Sequence, residues 1–212
     1  MSHAEYCGQF IKPGGKVLDV GSGMGNFLRK MADLGFDAHG VELNPERIFE
    51  KVVKASAESL PFPDNYFDFV NCAEVTEHIE FPRRACGEIF RVLKPGNKCY
   101  ISFHNRFGVY DYHYRLYFIN WMPRSWTEPI LNFLGRTKND GSAGRQKLAT
   151  MHYYTYGRVF KFLRAAGFSV SDIREKKIKK KFWNFALPLL ILYRILLRPL
   201  YFNTFHLLLA KP

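Results

Sequence analysis

The residues of this chain best able to do chemistry fall in three groups. The first is Asp19-Val-Gly-Ser-Gly-Met-Gly25, which sets Gly21, Gly23 and Gly25 at alternate positions around Ser22, with Glu42-Leu43 following further on. Glycines directly behind a strand let a ligand reach backbone N–H groups, and the start of a helix favours negative charge there. A diphosphate loop has its third glycine three places beyond the second, whereas here it comes two places beyond. Asp19 would also repel a diphosphate. A ligand carrying its own cation removes the conflict: an α-amino group can meet Asp19 while a neighbouring carboxylate takes the loop N–H groups, and Glu42 stands where an acid grips ribose hydroxyls. The second group is Glu74-Val-Thr-Glu77-His78 and the third is His104-Asn105-Arg106. His78 and His104 are the candidate proton acceptors of the chain.

These groups need a scaffold that brings them to one edge. Short apolar runs alternate with amphipathic stretches, the pattern of βαβ units and a parallel sheet. Strands are expected at Lys16–Val20, Ala38–Glu42, Phe67–Cys72, Lys98–Phe103, Phe168–Glu175 and Thr204–Ala210, and helices at Gly25–Leu34, Pro45–Lys51, Arg83–Val92 and Tyr156–Ala166. Pro13-Gly14-Gly15, Pro61–Asn65 and Lys94-Pro95-Gly96-Asn97 read as turns. All three chemical groups then follow the carboxyl ends of strands, where open α/β sheets bind ligands. A chain of 212 residues fits one such domain, 1–212, with insertions. Cys7, Cys72, Cys86 and Cys99 show no CxxC spacing, so neither a zinc knuckle nor a disulfide framework is indicated. The polar opening Met1–Gln9 does not read as a signal peptide, and a cytoplasmic location is expected.

The amino-acid end of S-adenosylmethionine fits the ligand described above. Asp19-Val-Gly-Ser-Gly-Met-Gly25, Gly40-Val-Glu-Leu43, Ala55-Ser-Ala-Glu-Ser-Leu-Pro-Phe-Pro-Asp64, Phe67-Asp-Phe-Val70 and Arg91-Val-Leu-Lys-Pro-Gly96, in this order, resemble the class I S-adenosylmethionine-dependent methyltransferases, in the small-molecule branch of the ubiquinone and menaquinone biosynthetic enzymes. The resemblance implies a Rossmann-like, seven-stranded, mostly parallel sheet with an antiparallel last strand. It implies a cofactor site of Asp19, Gly21, Ser22, Gly23, Gly25, Glu42, Leu43, Ser56, Ala57, Glu58 and Ala73, with Ala57 and its neighbours beside the adenine. The E-x-x-E-H cluster resembles that of the ubiquinone O-methyltransferases, which implies a divalent metal on Glu74, Glu77 and His78. Mg²⁺ suits the oxygens, and the imidazole would also admit Mn²⁺ or Zn²⁺. Two positions depart from the family: Ser56 replaces a common Asp, and Asn97 replaces a glycine and is expected to take a left-handed turn. A purely structural reading of the second group makes Thr76 a helix cap with Glu77 in the first turn.

The extra residues of this chain bear on the acceptor. The segment 107–150, rich in tyrosine, tryptophan and arginine, follows the fifth strand and is expected to form a substrate lid. Lys176-Lys-Ile-Lys-Lys-Lys-Phe-Trp183 and the apolar run to Tyr201 form a second insertion, 176–201. Pro188, Arg194, Arg198 and Pro199 argue against a membrane span. A basic flank joined to an apolar run suits a helix lying on an anionic membrane surface instead, which would let an amphipathic or lipid-linked substrate reach the site. A formal net charge of +12 accords with an anionic neighbour but does not choose one.

Two other classes compete. A nucleic-acid (RNA) methyltransferase would explain the charge, but neither the Asn/Asp-Pro-Pro-aromatic motif nor a Pro-Cys nucleophile follows the fourth strand, where Ala73-Glu-Val75 stands. A non-catalytic, membrane-associated cofactor-binding subunit would be favoured by loss of the acidic or glycine residues, which are intact. The expected activity is O-methylation of a lipid-like small molecule at a membrane surface.

Overall fold

The structure, a computed structural model, describes residues 1–47, 50–136 and 147–212. Nine strands are described: β1 (Lys16–Val20), β2 (Asp37–Glu42), β3 (Val52–Lys54), β4 (Phe67–Cys72), β5 (Leu93–His104), β6 (Tyr110–Asp111), β7 (Leu116–Tyr117), β8 (Ser169–Asp172) and β9 (Thr204–Ala210). The helices are α1 (His3–Gly8), α2 (Asn26–Asp33), α3 (Pro82–Val92), α4 (Arg124–Phe133), α5 (Tyr156–Ala165), α6 (Ile173–Lys181), α7 (Ala186–Leu192) and α8 (Arg198–Leu200). Seven strands form one sheet in the order β3-β2-β1-β4-β5-β9-β8, and β9 runs antiparallel to both its neighbours. The expected Rossmann-like sheet with an antiparallel last strand is the sheet observed.

Strand alternation divides the core into two layers. Leu18, Val70, Ile101 and Leu207 pack with Ala85 and Ile89 of α3 and Val159 and Phe162 of α5. Val17, Phe69, Tyr100 and Leu208 face the other way, onto Ala4 and Cys7 of α1 and Leu28 and Met31 of α2. Each fully buried Leu, Ile or Phe contributes about 1.5–3 kcal/mol. The inserted segment has a small core of its own, built from Tyr114, Ile119, Leu131, Leu148, Met151 and Tyr153. All four cysteines are free and buried.

Four local expectations are corrected. The stretch read as helix Pro45–Lys51 is a single 3-10 turn at Pro45–Arg47, with residues 48–49 outside the described set. Lys51 has φ +61°, which no helix continues through, and β3 starts at the next residue. The strand expected to reach Glu175 stops at Asp172, whose Oδ1 accepts the N–H groups of Arg174 and Glu175 and so starts α6. Lys94–Asn97 is a bulge within β5, because Phe67 pairs with Leu93 and Phe69 already with Lys98. Gly96, at φ +76°, takes the left-handed position there, and Asn97 does not. Ten residues of the segment expected to form a lid, 137–146, also lie outside the described residues.

Candidate active site

The carboxyl ends of β1 and β2 present the first group of side chains. Gly21 and Gly23 have φ +71° and +54°, where L side chains are strained, and a Cβ on Gly21 would stand 2.5 Å from Val75. A Cβ on Gly23 would meet nothing closer than 4.0 Å, so the loop leaves open space at its centre. Gly25, also left-handed, caps α2. The hydroxyl of Ser22 is buried without a hydrogen-bond partner. Such an open cradle with an orphaned hydroxyl fits a ligand with polar groups.

Glu42 holds the loop together from β2. Its Oε2 accepts the Gly23 N–H at 2.8 Å, and its Oε1 accepts those of Leu43 and Asn44 at 2.9 and 3.0 Å. Leu43 is exposed beside it. Asp19 is buried, and its Oδ1 accepts the Asn71 Nδ2–H at 2.7 Å. Burial lifts its carboxyl to about 7, against the Asn71 hydrogen bond and helped by the charge of Glu42. A cation arriving at Asp19 would offset that burial. Ser56, Ala57 and Glu58 form the turn after β3, where the Ser56 hydroxyl accepts the Glu58 N–H. The Glu58 carboxylate accepts the Phe81 N–H, and Ala73 packs partly buried past β4.

The second and third groups converge on one another. Glu74 has φ +56°, a position stabilised by its N–H donating to Ser102 Oγ and its Oε1 accepting from the same hydroxyl. His104, at the end of β5, has its Nε2 3.0 Å from Glu74 Oε2 and 3.1 Å from Glu77 Oε1. Burial opposes a charge on His104, but the two carboxylates outweigh it and raise the group to about 10. The imidazolium in turn outweighs burial at Glu74, lowering it to about 2, and holds Glu77 below the usual range. His104 therefore keeps its proton here. Thr76 does not cap a helix: its hydroxyl donates to the Ser102 carbonyl. His78 is partly exposed, with Nε2 3.8 Å from Glu77 Oε1.

The expected metal set Glu74, Glu77 and His78 is not the group that the fold gathers. Among the described residues, the potential ligand atoms that lie within 4.8 Å of one another belong to Glu77, His104 and His113. His78 turns outward because its 3-10 turn, Thr76–His78, buries Thr76 and Glu77 instead.

A cavity of about 610 Å³ opens beside Glu74. Tyr110, Tyr112 and Tyr117 wall it from the β6–β7 hairpin, and Arg174, Tyr201, Phe202 and His206 wall it from α6 and the approach to β9. Tyr100 Oη lies 2.5 Å from His206 Nδ1. Burial, then Arg174, depresses His206 to about 4, so it is neutral near pH 7. Sequence reasoning missed His206, although a histidine in the apolar strand Thr204–Ala210 is itself a signal.

Residues 18–101 match the family model of a methyltransferase domain. A sterol 24-C-methyltransferase of Schizosaccharomyces pombe is 36% identical over 117 residues, covering 48% of this chain and 29% of that protein. A ubiquinone/menaquinone biosynthesis C-methyltransferase of Ectopseudomonas mendocina is 31% identical over 105 residues, 42% of this chain and 41% of that protein. The chain thus spans less than half the length of these curated relatives. A phosphoethanolamine N-methyltransferase of Haemonchus contortus, solved with S-adenosyl-L-methionine, superposes with a TM-score of 0.60 at 18% identity, covering 99% of this chain and 52% of that one. Residues 18–101 thus carry a methyltransferase domain, and the sheet that holds them has the order of the class I, Rossmann-like methyltransferase fold.

Proposed function

We propose that this chain methylates a lipid-like or lipid-linked small molecule at an anionic membrane surface on the cytoplasmic side, with S-adenosylmethionine as donor. Asp19 would hold the donor's ammonium, the glycine loop its carboxylate and Glu42 its ribose, while Leu43 and the 56–58 turn border the base. The donor supplies an activated methyl on a sulfonium. The protein's share is to align the acceptor and, for a hydroxyl, to accept its proton.

The observation that carries the acceptor class is continuity. The cavity wall at Tyr201 and Phe202 runs directly into the second insertion, where Trp183, Phe185, Leu187, Ile191 and Ile195 are exposed. Beside them α6 ends in Lys179, Lys180 and Lys181. Among the described residues no helix is long and apolar enough to cross a membrane, and a surface-lying element needs no such length. Residues 107–150 would act as the lid over the cavity, within a single methyltransferase domain.

The sequence points to His104 and His78 as the base. His104 holds its proton between two carboxylates, whereas neutral His206 lines the cavity and has Nε2 left as an acceptor when Nδ1 donates to Tyr100. His206 is therefore the better-placed base. A second reading, a carbon acceptor, is favoured by the sterol and quinone relatives, both named C-methyltransferases. Incubating the chain with a lipid extract and isotopically labelled donor, followed by mass spectrometry, tests both. A labelled hydrophobic product supports the proposal, and fragmentation separates O- from C-methylation. Label found only in nucleic acid, or in nothing, would count against it.

A further inference from the structure

We infer that a second cleft, between α5, β8, α6 and the wide turn that follows α7, binds a phosphomonoester, carried on a lipid headgroup or on a soluble molecule. The cleft has a volume of about 480 Å³, and among the described residues it shares no lining side chain with the cavity beside Glu74. Lys176, Lys179, Arg194 and Arg198 line it against two carboxylates, Asp172 and Glu175, an excess of two positive charges. A phosphomonoester carries about −1.5 to −2 at neutral pH and so matches that excess.

The two carboxylates are already committed. Asp172 Oδ1 starts α6, and its Oδ2 accepts the Tyr193 hydroxyl at 2.8 Å. Glu175 Oε1 accepts Arg194 Nε at 2.8 Å and Arg198 Nη1 at 2.9 Å, while its Oε2 accepts Arg194 Nη2 at 2.6 Å. Arg194, against burial, thereby holds Glu175 below the usual carboxylate range. Among the described residues no further hydrogen bond uses Arg194 Nη1 or Arg198 Nη2, and neither Lys176 nor Lys179 is in an ion pair. The Arg198 guanidinium also lies 3.6 Å from the centre of the Tyr156 ring, so it is held from two sides. A guanidinium fixed beforehand loses less side-chain freedom when it meets a phosphate. The π-helical turn Tyr193–Leu197 sends Tyr193 inward to Asp172 while Arg194 and Arg198 both reach Glu175. Such turns recur at functional sites.

The lipid form of this ligand rests on the membrane reading above, whereas the site itself does not. Ile191 and Ile195, three residues before Arg194 and Arg198, are exposed. An element lying with these isoleucines among acyl chains would hold the arginines at headgroup level.

The test uses the full chain. Inorganic phosphate and glycerol 3-phosphate are titrated by calorimetry, and co-sedimentation is measured with phosphatidylcholine vesicles containing phosphatidic acid or, at equal surface charge, phosphatidylglycerol. One equivalent of glycerol 3-phosphate should bind, and phosphatidic acid should pellet more of the chain than phosphatidylglycerol. The double variant Lys176→Gln with Lys179→Gln, at two exposed positions, should weaken phosphomonoester binding at least tenfold. Lys177→Gln with Lys180→Gln removes the same charge outside the cleft and should leave it unchanged. Preference for phosphatidic acid identifies the lipid source, and soluble binding without that preference identifies a free phosphate ester. If no vesicle pellets the chain while glycerol 3-phosphate binds, the membrane reading fails and the site stands. Absence of soluble binding together with equal pelleting by the two vesicles, or equal weakening by the two double variants, would overturn the proposal.

Discussion

Asn71 Nδ2 donates to Asp19 Oδ1 at 2.7 Å, and the two residues are register partners on β4 and β1. Asn71 Oδ1 in turn lies 2.9 Å from His3 Nε2, so α1 is fastened onto the same polar row. The Asp19 carboxyl is thus buried, held by one neutral donor, and raised to about 7.

That value gives cofactor binding a pH dependence. Below about 7 the free protein carries Asp19 neutral, and binding an ammonium must expel the proton. Affinity for S-adenosylmethionine should fall about tenfold per pH unit below 7, with proton release measurable by calorimetry in buffers of different ionisation enthalpy. Between the unfolded value of 3.8 and about 7, the folded chain binds a proton that the unfolded chain lacks. Stability from this group therefore falls as pH rises through that window. Asp19→Asn should raise the melting temperature more at pH 8 than at pH 4; equal shifts would contradict the assignment.

Glu42 has a structural duty besides any ribose contact. It accepts three backbone N–H groups, including that of Gly23. Glu42→Ala should speed hydrogen exchange at Gly23, Leu43 and Asn44. Unchanged exchange would mean that the loop is held by other contacts.

How much of this was legible in sequence depends on range. The glycines, Asp19 and Glu42 announce themselves because each lies at or just past the carboxyl end of a strand, and a local motif suffices. His113 could not be placed with Glu77 and His104, since their meeting depends on how a hairpin without periodic pattern folds back over β5. Strand β3 is three residues long, too short for alternation to register, and the helix read before it ends at the left-handed Lys51. The bulge at Lys94–Asn97 was legible as turn chemistry, but which residue turns left-handed was not.

The inserted segment hangs on Asp111. Its two oxygens accept from the backbone of His113 and Tyr114, from Asn120 and from Tyr153, the last three in the interior. Asp111→Ala removes the acceptor that these donors share and should cost about 3 kcal/mol or more, seen as a lower melting temperature. Wild-type melting would show that the segment does not depend on this carboxylate.

The membrane reading is tested by surface substitutions that spare buried Tyr193, whose hydroxyl donates to Asp172 at 2.8 Å. Replacing Trp183, Leu187 and Ile195 with serine should abolish co-sedimentation with acidic vesicles. In the parent chain pelleting should weaken with salt, because each lysine contributes about 1 kcal/mol near an anionic surface. Equal pelleting of the triple variant would move the contact elsewhere.

His206→Gln should lower kcat at least tenfold while leaving donor affinity unchanged, if the acceptor is a hydroxyl. With its imidazole depressed to about 4, activity in the parent should stay flat from pH 5 to 8 once the donor is saturating. An unchanged kcat in the variant would remove His206 from the reaction.

The most direct measurement is titration calorimetry of the full chain with S-adenosylmethionine at pH 8. Binding of one equivalent, weakened at least tenfold by Asp19→Ala and by Glu42→Ala, is the result predicted. Absence of binding, or the same affinity in both variants, would contradict the account.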